Sequence, residues 1–188
     1  MSTKSDFLKV VTVLVDSREK EIAHITNALG GLGVPHETVK LDIGDISFRT
    51  TARDFRQACV VERKASVDEL YSNLMEKTRR DQMNRLEKEL EAGSRTMNQF
   101  TLLVEGIGSM DALHEYVVPD WKMKMNPQRV VADIGKHCYA ALRSWQSSNR
   151  YGVRVEFIEQ KERSAAKILE AFYYYYHNYK ALIAPRRG

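Results

Sequence analysis

Ala58-Cys59-Val60-Val61-Glu62-Arg63-Lys64 decides how the chain is read. A short apolar run bounded by charge has the length and composition of a buried strand, here Ala58 to Glu62. Side chains alternate along a strand, so Glu62 and Lys64 leave one face and Arg63 leaves the other. A carboxylate and an ammonium group are thereby set side by side at the end of an apolar strand.

The same pattern recurs on both sides. Val10 to Val15 is a second continuous apolar run, and Phe100 to Val104 and Val153 to Ile158 are two more. Thr38 to Leu41 and Ile46 to Phe48 read as short strands around Asp42-Ile43-Gly44-Asp45, and their short link predicts one antiparallel hairpin. Glu19 to Leu29 has helical spacing and stops at Gly30-Gly31-Leu32-Gly33. Ser66 caps a helix from Val67, with Glu69 in a box-like position and a break expected between Glu76 and Asp81. Pro119 to Pro127 reads as a loop. Gln128 to Trp145 is amphipathic, and Ser164 to Ile183 is a last, aromatic helix. Strands separated by helices predict an α/β sandwich with a mixed, mostly parallel sheet. No repeat or linker divides residues 1–188, so a single domain is expected.

Composition agrees with that architecture. The chain has 188 residues, 43% hydrophobic and 29% charged, enough for one core. No apolar run reaches the length of a membrane span, and the polar N-terminus has no apolar signal core. Cys59 and Cys138 stand far apart, as two buried thiols in a reducing intracellular compartment would. That compartment is the cytoplasm of a bacterium or phage host, or the nucleus of a eukaryote. A net charge of +4 is compatible with nucleic acid without identifying it. The histidines show no zinc-ligand spacing, and the glycine run is not a phosphate-binding loop, so neither zinc nor a nucleotide cofactor is expected.

The acids fall at strand ends, where α/β proteins place their chemistry. Asp16 and Glu19 follow the first strand, Asp45 lies at the turn, Asp68 opens a helix and Glu105 follows the Phe100 strand. Hard cations such as Mg²⁺ take oxygen ligands, often one or two carboxylates with water. Asp45 and Glu62 suit that role, with Lys64 as the cationic partner for phosphodiester hydrolysis. Charged residues at strand ends are also commonly solvated or paired at the surface, and the residues alone leave both readings open.

Val15-Asp16-Ser17-Arg18-Glu19, then Gly44-Asp45, then Val61-Glu62-Arg63-Lys64 with Asp68 resemble the ordered signature of the XPF-type structure-specific endonucleases. Gln82 with Arg85-Leu86, and Leu102-Leu103-Val104-Glu105-Gly106, resemble later pieces of it. Thr78 stands where that family has arginine, with Arg79 and Arg80 adjacent. The resemblance implies a restriction-endonuclease-like three-layer sandwich, Mg²⁺ or Mn²⁺, and cleavage of branched, flap or partly single-stranded DNA. It carries Asp16, Asp45 and Glu62 over as the metal cluster and Lys64 as the catalytic lysine. Glu19, Arg63 and Asp68 carry over in supporting roles. The helix-hairpin-helix module usual in the family has no room here, which implies a compact stand-alone form or an excised domain. It also leaves a second reading: a DNA- or partner-binding subunit that cuts only in a larger complex. A third is a restriction-like nuclease acting on plain duplex.

Trp121-Lys122-Met123-Lys124-Met125 and Arg129 could contact phosphates or stack on an unpaired base, or Trp121 could be anchored in the core. Arg79-Arg80 could likewise meet phosphate. The tyrosines from Phe172 to Tyr179 exceed what one packed helix face needs. Because the family dimerises through its nuclease domain, a homodimer through the C-terminal helices is expected.

Overall fold

The computed structural model describes residues 3–75, 85–125, 133–147 and 151–183. Its strands are β1 (Val11–Asp16), β2 (His36–Val39), β3 (Ile46–Thr50), β4 (Cys59–Lys64), β5 (Gln99–Glu105) and β6 (Arg154–Ile158). They form one sheet in the order β2-β1-β3-β4-β5-β6. β1 pairs with β2, β4 with β5, and β5 with β6 in parallel; β3 runs antiparallel to both β1 and β4.

The helices are α1 (Lys4–Leu8), α2 (Ala23–Gly31), α3 (Val67–Met75), α4 (Arg85–Thr96), α5 (Met110–His114), α6 (Asp120–Met125), α7 (Ile134–Ser147) and α8 (Ser164–Ile183). They cover the sheet from two sides. Val13, Val15, Phe48, Val61 and Leu103 pack with Phe7, Ile25, Leu29, Ile168, Leu169 and Phe172 in one core. Val60, Leu102 and Val104 pack with Leu70, Leu86, Leu90, Leu113, Cys138 and Leu142 in the other. Neighbouring residues of β4 and β5 therefore enter different cores, as a period of two requires. No described helix is long and apolar enough to cross a membrane. Cys59 and Cys138 are buried free thiols.

Three sequence expectations need correction. The predicted hairpin does not form: β2 and β3 lie on opposite edges of β1, and residues 40–45 cross the end of that strand. Ser17 N donates to Val39 O and Asp16 N to Asp45 O, so β1 satisfies the backbone on both sides of the crossing. α2 begins at Ala23, not Glu19, and leaves Glu19 in the connection after β1. Asp120–Met125 is helical where a loop was expected. Pro119 stands just before it, where a missing N–H costs little, and its carbonyl accepts from Lys122 N. The predicted break at Glu76–Asp81, Thr78, Arg79-Arg80, Gln82, Arg129 and the start of the Gln128 helix lie outside the described residues.

Candidate active site

Glu62 and Lys64 project from β4 on the side of α3, α4 and α7. Both are buried, and Lys64 Nζ donates to Glu62 Oε1 at 2.6 Å. The capped start of α3 fixes the chain just after the pair. Ser66 Oγ accepts from Glu69 N at 3.2 Å, and Glu69 Oε2 accepts from Ala65 N at 2.8 Å.

Asp45 reaches the same place from the connection into β3. Gly44 before it has φ 75°, and a Cβ there would lie 3.0 Å from Val60 Cβ. Glycine is thus required for both the left-handed backbone and the close approach to β4. Arg63 N donates to Asp45 Oδ2 at 2.7 Å and sets that carboxylate against the strand.

Glu19, Asp45 and Glu62 line one pocket of ≈ 310 Å³. Arg18, Asp42, Ile43, Gly44, Lys88, Glu89 and Ala92 complete it. Lys88 and Glu89 come from α4 and were not singled out in the sequence. Their available signal is position: Leu86 and Leu90 pack into the core beside them, which turns the edge of that helix face toward β4. Glu89 Oε2 lies 4.0 Å from Lys64 Nζ.

The remaining expected residues sit elsewhere. Asp16 does not line the pocket. Its oxygens accept from Arg18 N and Nε at 2.7 Å, from Arg18 Nη2 at 2.9 Å and from Leu41 N at 2.7 Å. Arg63 leaves the opposite face of β4, where Nη1 donates to Glu105 and Nη2 to Glu19, both at 2.9 Å. Asp68 Oδ2 accepts from Tyr116 Oη at 3.1 Å and from Lys122 Nζ at 2.5 Å, tying α6 to the start of α3. Trp121 is not anchored in the core: it is 60% exposed.

The electrostatics separate these acids. Burial, then the charge of Glu19, pushes the Asp45 carboxyl up to about 7. Burial, then Asp45, holds Glu62 well above the usual carboxylate range. Burial also raises Asp16, but the hydrogen bonds from Arg18 and Leu41 outweigh it and leave that group lowered. For Lys64, burial opposes the charge, yet Glu62 prevails and raises it. Asp45 and Glu62 are thus hard oxygen donors packed close together, and among the described residues Lys64 is the cation bonded to Glu62. That donor set fits a divalent ion such as Mg²⁺ or Mn²⁺. Among the described residues, no group of three or more His, Cys, Asp or Glu is arranged to hold a metal ion. Mg²⁺ commonly takes one or two carboxylates and keeps several waters, so a two-carboxylate site remains within its chemistry.

The chain matches the ERCC4 domain over residues 15–171. Among solved structures it is similar to XPF from Aeropyrum pernix, with a TM-score of 0.60 and 20% identity over 91% of this chain and 68% of that one. The complex of that XPF with DNA gives 0.56 and 19% over 89% and 65%. At these identities the likeness is one of fold, and it identifies the mixed sheet between two helical layers as the restriction-endonuclease-like nuclease fold. The chain spans about two thirds of the length of those XPF chains. No curated protein matches it.

Proposed function

Because the chain belongs to the ERCC4 domain family, we propose that it is an Mg²⁺- or Mn²⁺-dependent DNA endonuclease that hydrolyses phosphodiester bonds in branched or partly single-stranded DNA. The observation that carries this reading is the convergence of the half-buried Asp45 and the buried Glu62 on one pocket, with Lys64 bonded to Glu62. Asp45 and Glu62 would supply the protein oxygens to the ion, with Glu19 holding water at its rim. Asp16, the third expected ligand, would join them only by releasing Arg18 or Leu41.

Such an ion polarises a phosphoryl oxygen and lowers the pKa of an attacking water. Lys64, held by Glu62 and near Glu89, offsets negative charge as the phosphorus becomes five-coordinate. Arg18, oriented by Asp16, offers a guanidinium to the adjoining phosphate. Burial strengthens the interactions of Glu62 and Lys64 by keeping bulk water from their charges, whereas Arg18 stays exposed to solvent.

The DNA would cross the sheet end toward α6. Lys122 and Lys124 supply positive charge there, and the exposed Trp121 ring offers a stacking surface to an unpaired base. We take residues 1–188 as one nuclease domain that pairs with a second copy through α8. Most of that helix's aromatic rings pack inward, and Tyr174, 55% exposed, is left for the interface. Labelled flap, fork, four-way and linear DNA incubated with Mg²⁺ test the proposal. Cleavage of the branched forms is expected. Inertness toward all of them would defeat it, and a sequence-specific ladder on linear duplex would point to a restriction-like enzyme instead.

A further inference from the structure

Glu105 closes β5 and is fully buried, on the opposite side of the sheet from the Glu62–Lys64 pair. Its parity with Leu103 turns it toward α2 and α8. Three side chains from three elements converge on it. Ser164 Oγ, at the start of α8, donates to Oε1 at 2.6 Å. His24 of α2 meets Oε1 through Nε2 at 2.8 Å. Arg63 Nη1 donates to Oε2 at 2.9 Å.

Arg63 carries this arrangement to the pocket. Its second terminal nitrogen donates to Glu19 Oε2 at 2.9 Å, and Glu19 lines the pocket with Asp45 and Glu62. A planar guanidinium gripping one carboxylate on each arm has little rotational freedom left. Glu19 lies in an irregular connection, where its N donates to Asp16 O at 3.1 Å, but its side chain is part-exposed and is held through Arg63. The side chains that orient a metal-facing carboxylate set metal affinity almost as strongly as the ligands do.

We infer that Glu105 is a positioning residue: anchored by Ser164 and His24, it fixes Arg63, and Arg63 holds Glu19 at the mouth of the pocket, so that α2 and α8 set the site's affinity for its cation. This rests on the nuclease reading above and assigns the pocket a support that reaches through the sheet.

The test is calorimetric titration of Mn²⁺ into the full chain, with DNA cleavage measured in parallel. Glu105→Gln keeps the shape but removes an acceptor. We expect Mn²⁺ affinity about 10-fold lower and kcat about 10- to 100-fold lower, with KM for DNA changed less than about 2-fold. In a Glu19→Gln background, adding Glu105→Gln should cost little more, because both changes cut one chain of contacts. Unchanged Mn²⁺ affinity in folded Glu105→Gln protein would overturn the inference, as would full multiplication of the two losses. If Glu105→Gln does not fold, Ser164→Ala is read instead: about 3-fold weaker Mn²⁺ binding supports the inference and unchanged binding overturns it. A parent protein that binds Mn²⁺ yet cuts no DNA would sink the nuclease reading alone, since the binding comparison still decides the role of Glu105.

Discussion

Glu62 and Glu105 stand on adjacent strands, both inaccessible to solvent, and their protonation is driven in opposite directions. Glu62 has one close donor, Lys64, and two other acids, Asp45 and Glu89, beside it; burial and Asp45 push it well above the usual range. Glu105 is also raised by burial, but Ser164, His24 and Arg63 more than compensate and leave it lowered. Low exposure alone therefore does not set the direction of a carboxylate's shift: Glu62 is the more deeply enclosed of the two, and Glu105 has the larger supply of donors. On one face of the sheet the donors saturate the acid. On the other, among the described residues, Lys64 is the donor bonded to Glu62, and a bound cation would ease the ionisation of Asp45 and Glu62 together.

The largest way to break this contrast is to remove the groups on the Glu62 side. Asp45→Asn, Glu62→Gln or Lys64→Ala should each lower kcat by roughly 10³-fold or more, while DNA affinity by mobility shift changes little. Loss of binding in step with activity would mean that these residues hold the protein together instead. Metal affinity should also follow pH. An Asp45 carboxyl raised to about 7 must lose its proton to take the ion. Mn²⁺ binding should then weaken by up to about 10-fold per pH unit below 7. A flat profile from pH 5.5 to 8 would contradict the protonation assigned to Asp45.

The same carboxyl-to-amide change should have opposite effects on stability at the two places. A raised folded-state pKa gives Asp45 stability that is present below its unfolded value and lost as pH rises through about 7. At pH 8 the metal-free protein bears that cost in full, so Asp45→Asn should raise stability by roughly 2 kcal/mol. Glu105, being lowered, contributes stability above its unfolded value that is lost as pH falls through the folded one. Glu105→Gln should therefore destabilise at pH 8, by about 3 kcal/mol for a buried, multiply bonded charge. Urea denaturation of both variants checks the signs, and two shifts of the same sign would remove the distinction. A smaller effect concerns Trp121. Trp145 is buried, so quenching by added DNA reports Trp121. Oligonucleotides with unpaired bases should quench it more than blunt duplex, and Trp121→Ala should weaken their binding by about 5- to 10-fold.

Much of this was legible in the chain. The alternation of Glu62, Arg63 and Lys64 assigns them to opposite faces from the period alone, and the contacts of Lys64 and Arg63 follow that assignment. Ser66 and Glu69 announced the helix that begins at Val67. Sheet order was not legible, because the link from Val39 to Ile46 is short enough for a hairpin and only the intervening β1 prevents one. α6 was hidden by its flanking prolines. The environment of Asp16 was hidden too: its hydrogen bond from Leu41 spans 25 residues, a proximity that no local pattern encodes. Lys88 and Glu89 look like any polar helix positions until α4 is docked. Gly93 makes that docking close, since a Cβ there would lie 2.2 Å from the Phe100 ring.

Calorimetric titration of Mn²⁺ near pH 7, run in two buffers that differ in ionisation enthalpy, counts both ions bound and protons released. One ion per chain is expected, with net proton release drawn from Asp45 and Glu62, and both signals should be lost in Asp45→Asn. An unaltered titration in that variant, or no Mn²⁺ binding to the parent protein, would contradict it.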